Sequence, residues 1–482
     1  MFHGNALLHG WIIGDATYYT LELPLIGIAQ LIFGLGVKSA HVASATTFFL
    51  VVAFAVSLAV TGSRGLARVA RCGVTVAVLT MPLLVMAMLI TLEAEPDHAG
   101  TSVFLLASAL VIERRPGWKL GAPLLCVILA AGQLGDATVL YVFVPAIVVI
   151  CGYRLLTALP PQPGGRLRAV LRSADAAMLA GAIASVPLEW AIRTLMRALG
   201  GYEMVAPKVK LAAPSAWAHN LAVTWLNIRT LFGIIPQSHM PLGAVTPALG
   251  WLCLAVAAAG IGRVAWTWRR ASRAEQLLVV AIALNIAIYV VSVMVNTMNY
   301  RELSAVLPCS AVLAARALVP AQIKAPMRAF AAVAVAVAVA VALVPVSAAA
   351  TRPYAAAATG PAPLDGDGSA PLAPVIGWFR QRGISYALSD YFVSSATTVG
   401  SGGKLSVRAI IPKKGKGIPA WEDDTQWYDP SRYDIRYVVT QAFHEVWYLK
   451  AFGQPAATYQ FGRGWVVLKY DSNLLPELVP PR

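Results

Sequence analysis

The sequence has few charged residues for its length. Only 13% of its 482 residues are Asp, Glu, Lys or Arg, whereas 58% are hydrophobic and the mean hydropathy is +0.66. A soluble globular domain carries roughly 25% charged residues. Several apolar runs reach the length of about 20 residues that a membrane-spanning helix needs. The composition therefore excludes an ordinary soluble protein and predicts a polytopic α-helical membrane protein.

The sequence also lacks the motifs of several enzyme and scaffold classes. It has no P-loop, no Ser/His/Asp arrangement, no helical metal-ligand motif and no cleavable signal peptide. Its five cysteines match neither a disulfide framework nor a metal site, and we expect them to be small buried hydrophobic side chains. They are Cys72, Cys126, Cys151, Cys253 and Cys309. These absences argue against nucleotide chemistry on the cytoplasmic side.

What the sequence does have is a series of apolar runs separated by short basic clusters, which give a net charge of +15. In a soluble protein this charge would suggest nucleic acid as a partner, but basic loops between spans are typical of an inner-membrane protein. The ten expected spans are at about 42–62, 73–92, 99–113, 118–134, 137–153, 174–199, 247–267, 276–296, 303–319 and 327–348. Seventeen basic residues fall in one set of loops and five in the other. The first set is predicted to be cytoplasmic, and nucleic acid is not expected as a partner.

Composition divides the chain into four parts. They are an outer first-loop segment, a transmembrane domain, a linker rich in Ala, Pro, Gly and Asp, and a small extracytoplasmic α/β domain. Their bounds are 1–41, 42–348, 349–373 and 374–482. In the first part, the apolar run Leu21–Leu35 is interrupted by Pro24, Gly27 and Gly34. This run predicts a short interfacial or re-entrant helix.

The last part alternates two kinds of hydrophobic pattern. Strand-like runs occur at 385–388, 405–411, 436–440 and 458–470, and helix-like runs at 374–382 and 442–452. We expect a single small domain that contains both helices and a sheet.

The first candidate for function is a carboxylate in the first loop. Ionisable residues at the outer ends of spans are favoured, because charge at membrane depth is costly and usually functional. Asp15 follows Gly14 and precedes an aromatic run that includes Tyr18, and Glu22 is seven residues further on. A carboxylate beside aromatic rings is a candidate general base with a raised pKa. The alternative is that Asp15 caps a helix that begins at Ala16.

The second candidate is Asp97 with His98, at the mouth of a span. These residues either line an acceptor or donor pocket, or form a helix cap in which Asp97 bonds to the amide of Gly100 or Thr101.

Three other candidates carry one alternative each. Asp136 is at an outer turn between two spans, where it is either a helix cap or a pocket residue. Arg301 is at an outer helix N-terminus, which suits a phosphate; contact with Glu302 or a headgroup is the alternative. The acidic and aromatic loop 421–430, which includes Trp427, suits a sugar or a cation, or is a solvated turn with tryptophan anchors.

These stretches resemble the C-type (GT-C) membrane glycosyltransferases, and the chain is similar to a group of actinobacterial multi-spanning membrane proteins. The likeness covers most of the chain, and its motifs are diagnostic of the group rather than of an activity. The stretches that carry it are 4–24, 96–101, Gly135-Asp136, Arg301-Glu302 and Trp427-Tyr428-Asp429.

The resemblance implies a function and a role for each candidate. In GT-C enzymes a carboxylate of the first outer loop deprotonates the acceptor, and the donor is a polyprenyl-phosphate sugar. By resemblance, Asp15 is the base and Arg301 binds the lipid phosphate. The other expected substrate-binding residues are Tyr18, Glu22, Asp97, His98, Asp136 and Trp427. The family includes members with and without a divalent metal, so a role for Mg²⁺ or Mn²⁺ stays open.

The resemblance also implies a place in the cell and a longer N-terminus. The expected location is the bacterial cytoplasmic membrane, with membrane lipid and a glycan or lipid acceptor as partners. The family places a transmembrane helix before the first loop, whereas Met1 falls inside that loop. We expect a start further upstream; the alternative is a truncated, inactive copy. Two other classes stay open. A lipid or polysaccharide transporter predicts polar residues at mid-span and paired broken helices, and the third class is a non-catalytic scaffold of the cell envelope.

Overall fold

The computed structural model describes residues 4–14, 16–80, 98–158, 170–204, 210–234, 245–297, 299–322, 372–413, 415–420 and 423–478. Most of the chain is helical, and a helix bundle is followed by a small domain built on a β-sheet. The span expected at 327–348 and nearly all of the linker lie outside the described residues.

Eleven of the described helices precede the small domain. Their bounds are α1 Glu22–Phe33, α2 Val37–Ala59, α3 Leu66–Thr80, α4 Ala99–Arg114, α5 Gly121–Gly135, α6 Val144–Ala158, α7 Ala174–Ala198, α8 Trp217–Leu231, α9 Val245–Trp266, α10 Arg273–Val291 and α11 Val306–Leu318. A π-helix at Val139–Phe143 runs directly into α6.

Five helices in the described part of the chain are long and apolar enough to cross a membrane. They are α2, α6 with its π-helix, α7, α9 and α10. Helices α1, α5 and α11 are apolar but shorter. The structure therefore supports a membrane protein with five candidate spans, which is a coarser result than the ten spans that hydropathy predicts.

The first span begins earlier than hydropathy indicates. Helix α2 begins at Val37 rather than near residue 42. Hydropathy misses its first turn because Lys38 and His41 lower the average hydropathy there. The run Leu21–Leu35, for which a short helix is expected, contains the preceding helix α1, Glu22–Phe33. The helix continues through Pro24, which lies in the first turn, where a missing N–H breaks no helical hydrogen bond.

Buried arginines tie the helices together at one end of the bundle. The guanidinium of Arg316 donates to the carbonyl of Leu58 at 2.7 Å and pairs with Glu113 at 3.2 Å. Arg71 donates to the carbonyl of Val319 at 3.0 Å. We call this the arginine end. The opposite end, at which α4 begins and α5 ends, is called the site end.

The small domain contains a six-stranded mixed sheet in the order β5-β4-β3-β7-β9-β8. Strand β3 is parallel to β4 and β7, and the other pairings are antiparallel. The strands are β3 Tyr386–Ser389, β4 Ser406–Lys413, β5 Lys416–Pro419, β7 Tyr437–Gln441, β8 Ala457–Phe461 and β9 Trp465–Lys469. Its helices are α12 Ala373–Gln381, α13 Tyr391–Gly400 and α14 Glu445–Phe452. The run expected as one strand at 458–470 is a hairpin, because Gly464 turns the chain with a φ of 79°.

A second, three-stranded sheet joins three distant parts of the chain. Strand β1, Trp11–Ile13, is parallel to β2, Glu203–Met204, and antiparallel to β6, Asp423–Asp424. The amide of Thr425 donates to the carbonyl of Gly10 at 2.9 Å. The small domain is therefore attached to the first-loop segment by backbone hydrogen bonds.

Candidate active site

Four ionisable side chains meet at the site end. Glu22 is the first residue of α1, His98 precedes α4, Asp136 follows α5, and Glu302 closes the 3-10 turn Asn299–Glu302. The imidazole of His98 lies between two carboxylates: Nδ1 is 2.7 Å from Asp136 Oδ2, and Nε2 is 3.5 Å from Glu302 Oε1. We call these four residues the acid–histidine cluster.

The carboxylates keep the imidazole protonated. Burial alone would lower the pKa of His98, but Asp136 and Glu302 outweigh burial and hold that pKa well above its usual value. Burial would raise the pKa of Asp136, whereas the charge of His98 and a hydrogen bond from the Thr101 hydroxyl lower it to about 2. Against the effect of burial, His98 also lowers the pKa of Glu302. The three groups form an imidazolium between two carboxylates at neutral pH.

Glu22 is the member of the cluster that titrates near neutral pH. It is only 4% exposed, and its Oε1 accepts a hydrogen bond from the amide of Gly100 at 3.0 Å. Burial raises the pKa of Glu22 to about 7, and the charge of Asp136 acts in the same direction. A carboxyl with this pKa can accept or release a proton at physiological pH, as a general acid or base must.

The close approach of α4 to Glu22 depends on a glycine. A Cβ at position 100 would overlap the carboxylate of Glu22, so only glycine leaves room for the hydrogen bond. Gly100 also follows directly on Ala99, where α4 begins, and its amide is one of those that lack a helical acceptor.

The first loop is fixed to the end of α5 by its backbone. The amide of Tyr18 donates to the carbonyl of Gly135 at 2.9 Å, and Ala16 forms an isolated β-bridge with Asp136. The hydroxyl of Thr17 donates to the carbonyl of Leu134 at 2.6 Å. These contacts hold the loop against the C-terminal end of α5.

Two residues of the site adopt the left-handed backbone region that is uncommon for residues other than glycine. Tyr18 has a φ of 53° and His98 a φ of 58°. Their rings meet edge to face with centroids 6.0 Å apart. Strained backbone is concentrated at functional sites, where the surrounding contacts maintain it. The two strained residues contact each other at the acid–histidine cluster.

The structure brings together Tyr18, Glu22, His98 and Asp136 from the predicted site. Asp136 acts as a cap, because its Oδ1 accepts the amide of Thr138 at 2.7 Å, and its role as a pocket residue stays a prediction. Asp15 and Asp97, the expected base and its neighbour in the pocket, lie outside the described residues.

One of the alternative cap assignments is wrong. Residues 16–21 are not helical and α1 begins at Glu22, so no helix begins at Ala16 for Asp15 to cap. The amide of Gly100 donates to Glu22, and the cap expected of Asp97 stays a prediction, because Asp97 lies outside the described residues.

The structure also changes the setting of Arg301 and Trp427. Arg301 is in a 3-10 turn, and the following helix α11 begins only at Val306, so the expected position at a helix N-terminus is wrong. Burial raises the pKa of Glu302, His98 lowers it by a larger amount than Arg301 does, and the charge of Arg301 lowers it further. Trp427 lies at the attachment of the small domain, with its ring centroid 5.0 Å from that of Trp11.

Sequence reasoning missed the role of Glu302, which it treated only as a partner of Arg301. The rule that favours ionisable residues at span ends could have selected Glu302, since it is a carboxylate at the end of an apolar run. Its contact with His98 spans about two hundred positions of sequence, and no local pattern shows such a pairing.

A cavity of about 440 Å³ lies where the small domain meets the first loop. Its lining combines apolar and acidic side chains, among them Ile12, Glu203 and Asp423. Ile12 of β1 pairs with Glu203 of β2 on one side and with Asp423 of β6 on the other. Paired residues point to the same face, so these three side chains lie in one row on one face of the small sheet.

A divalent metal does not fit the acid–histidine cluster. No group of three or more His, Cys, Asp or Glu side chains suited to a metal occurs among the described residues. Both ring nitrogens of His98 face carboxylates, so the ring has no nitrogen lone pair to offer. Dependence of the protein on Mg²⁺ or Mn²⁺ stays a prediction.

Comparison of the chain with protein family models, with curated proteins and with solved structures finds no match.

Proposed function

We propose that the chain is a membrane glycosyltransferase that moves a sugar from a polyprenyl-phosphate donor to a glycan or lipid acceptor. The acid–histidine cluster carries this proposal. It places an ion network, Asp136–His98–Glu302, beside a carboxyl, Glu22, that titrates near neutral pH. Acid–base groups at the end of a membrane helix bundle suit the activation of a hydroxyl on a substrate held at the membrane surface.

The proposed orientation puts the site end outside the cytoplasmic membrane. Three arginines lie at the other end: Arg71 and Arg263 donate to the carbonyls of Val319 and Arg316, and Arg316 pairs with Glu113. An excess of basic residues is the usual mark of the cytoplasmic side. This arrangement supports an outer site, which is where lipid-linked sugars would be used.

In the proposed reaction Asp15 is the general base. Asp15 accepts the proton of an acceptor hydroxyl as its oxygen forms a bond to the anomeric carbon. The bond between that carbon and the phosphate oxygen breaks with its electron pair, so polyprenyl phosphate leaves and the anomeric configuration inverts. Arg301 offsets the charge on the departing phosphate. Ala16, the next residue after Asp15, is held by its bridge to Asp136.

The ion network has a positioning role in this reaction. It joins the start of α4, the end of α5 and the turn that precedes α11. The first loop is fixed to the same place by Tyr18 and Thr17. The cluster lies at helix ends and not at mid-span, which favours an enzyme over a transporter with broken helices.

Transfer of sugar from a panel of polyprenyl-phosphate donors would test the proposal. Membranes would contain either the chain as given or a version extended upstream of Met1. In the active form, Asp15→Asn is expected to reduce turnover by about 10²–10⁴-fold, the usual contribution of a general base. The matched control is Asp434→Asn, an exposed carboxylate of the small domain.

Two outcomes would contradict the proposal at different points. Full turnover by Asp15→Asn at normal membrane abundance would remove the base assignment. Absence of turnover by both forms, with both stably inserted, would favour a non-catalytic scaffold of the cell envelope.

A further inference from the structure

Helix α8 buries polar side chains and exposes apolar ones. Three polar side chains on one face are at most 7% exposed, whereas three large apolar side chains on the other are at least 41% exposed. The buried residues are Asn220, Thr224 and Asn227, and the exposed residues are Trp217, Leu221 and Trp225. The exposed residues are four positions apart and so lie along one stripe. A helix on a surface that faces water has the opposite arrangement.

Two asparagines on the polar face of α8 donate hydrogen bonds to neighbouring segments. The side-chain amide of Asn220 donates to the carbonyl of Val290 at 2.8 Å. That of Asn227 donates to the hydroxyl of Tyr289 at 2.9 Å and to the carbonyl of Asn296 at 2.8 Å. Hydrogen bonds of this kind join helices within membranes. Rotation of α8 to bury its tryptophans would break them all.

The exposed stripe continues onto a candidate membrane span. The ring of Trp225 is 6.3 Å from that of Trp251 in α9, and the guanidinium of Arg229 lies 5.6 Å from the centre of the Trp251 ring. Next to Trp251, Leu252 is also exposed. Tryptophan and arginine side chains are typical of the boundary between acyl chains and headgroups. The surface of α9 that faces lipid therefore extends across α8.

We propose that α8 lies in the membrane at the site end, with its Trp217–Leu221–Trp225 stripe against the acyl chains. Hydropathy places the connector 200–246 in water, because the buried asparagines lower the average of this segment. The helix also contacts the turn Asn299–Glu302. The helix proposed to face lipid is therefore next to the turn that supplies Glu302 to the acid–histidine cluster. This placement does not depend on the glycosyltransferase proposal.

Fluorescence quenching in vesicles tests this placement. The full chain with Leu221→Cys carries an environment-sensitive fluorophore and is reconstituted in phosphatidylcholine with brominated acyl chains. Leu252→Cys on α9 is the lipid-facing reference, and Arg432→Cys in the small domain is the water-facing reference. Label on the five native cysteines is measured in the unsubstituted chain and subtracted.

The expected result is quenching of the Leu221 label by brominated lipid to the same extent as the Leu252 label. Iodide in the water should quench the Leu221 label several-fold less than the Arg432 label. The reverse pattern, with strong iodide quenching and no effect of brominated lipid, would overturn the proposal. Ala222→Cys, which is also exposed, gives the same test if Leu221→Cys fails to insert.

Discussion

His98 is held between two carboxylates, and loss of His98 or of Asp136 breaks a buried ion pair. We expect His98→Gln and Asp136→Asn each to lower the free energy of unfolding by about 3–5 kcal/mol, the usual cost of breaking a buried pair. The double variant should cost less than the sum of the two, because the Asp136–His98 contact at 2.7 Å is lost only once.

Unfolding in detergent measures all three variants against Asp434→Asn, whose carboxylate is exposed. The expected difference between the double variant and the sum of the single ones is about 1–3 kcal/mol. Additive losses would show that His98 and Asp136 do not act as a pair.

Glu22 predicts a pH dependence of stability with a definite sign. Because burial raises its pKa to about 7, the folded protein keeps the proton after the unfolded chain has lost it. The stabilising effect is therefore complete below the unfolded pKa of about 4.5 and is lost as the pH rises to about 7. The neutral isostere Glu22→Gln can still accept the Gly100 amide and should show no such loss.

We expect Glu22→Gln to equal the unsubstituted chain near pH 4 and to exceed it near pH 8 by on the order of 3 kcal/mol. Thermal unfolding of both chains across this range measures the difference. The comparison cancels other groups that titrate there, such as Asp423, whose pKa burial raises to about 6. A difference that does not change with pH would show that Glu22 is ionised throughout.

At the scale of elements, two glycines of α9 differ in their surroundings: Gly260 packs closely against another helix and Gly262 does not. A Cβ at Gly260 would lie 2.8 Å from the backbone nitrogen of Ala314 in α11, whereas a Cβ at Gly262 would meet nothing within 4 Å. We expect Gly260→Ala to destabilise the protein by about 1–3 kcal/mol, because helix backbones cannot move apart cheaply. Gly262→Ala should be neutral, or stabilising by up to about 1 kcal/mol.

Thermal unfolding of the two variants makes this comparison within one helix. Equal effects would show that α9 and α11 do not approach each other as closely as the structure has them. Close contact through small residues is the usual means by which membrane helices associate.

Hydropathy predicts helices well wherever the apolar run is long. Helix α7 is expected at 174–199 and is Ala174–Ala198, because its run is long and Ser173 caps it, although Pro187 lies inside the helix. Two helices were missed because local composition opposes them. Helix α13 is rich in Ser, Thr and Val and depends on its Asp390 cap, and α8 hides its asparagines inside.

The sequence predicted several residues of the site but not how they pair. The rule that charge at span ends is functional selected Glu22, His98 and Asp136, all of which the structure brings together. Their pairings could not be predicted, since partners such as His98 and Glu302 come from different helices. The shift in the pKa of Glu22 depends on burial by those same helices.

At the scale of the whole molecule, the small domain is attached to the bundle through the first loop. Strand β1 pairs with β6, the edge of Trp11 meets Trp427, and the guanidinium of Arg408 lies 3.8 Å from the centre of the Trp427 ring. The same first loop continues into Tyr18 and the acid–histidine cluster. The position of the small domain and the order of the site are therefore mechanically linked.

This link predicts the effect of removing Trp427. We expect Trp427→Ala to weaken the attachment by about 0.5–1.5 kcal/mol, the contribution of the aromatic pair with Trp11. Amide exchange at 11–13 and at Thr425, whose amide donates to Gly10, should then accelerate by about 2–10-fold. The matched control is Trp447→Ala, an exposed tryptophan that stacks on His444 within the small domain.

Exchange in the central strand β7 separates the possible causes. If Trp427→Ala accelerates exchange at 11–13 while β7 stays protected, Trp427 fastens an intact domain to the first loop. If β7 loses protection as well, Trp427 supports the domain's own core and the attachment rests on the strand pairing. Unchanged exchange at 11–13 would show that backbone hydrogen bonds between β1 and β6 are sufficient, and a direct contact of Trp427 with substrate would regain support.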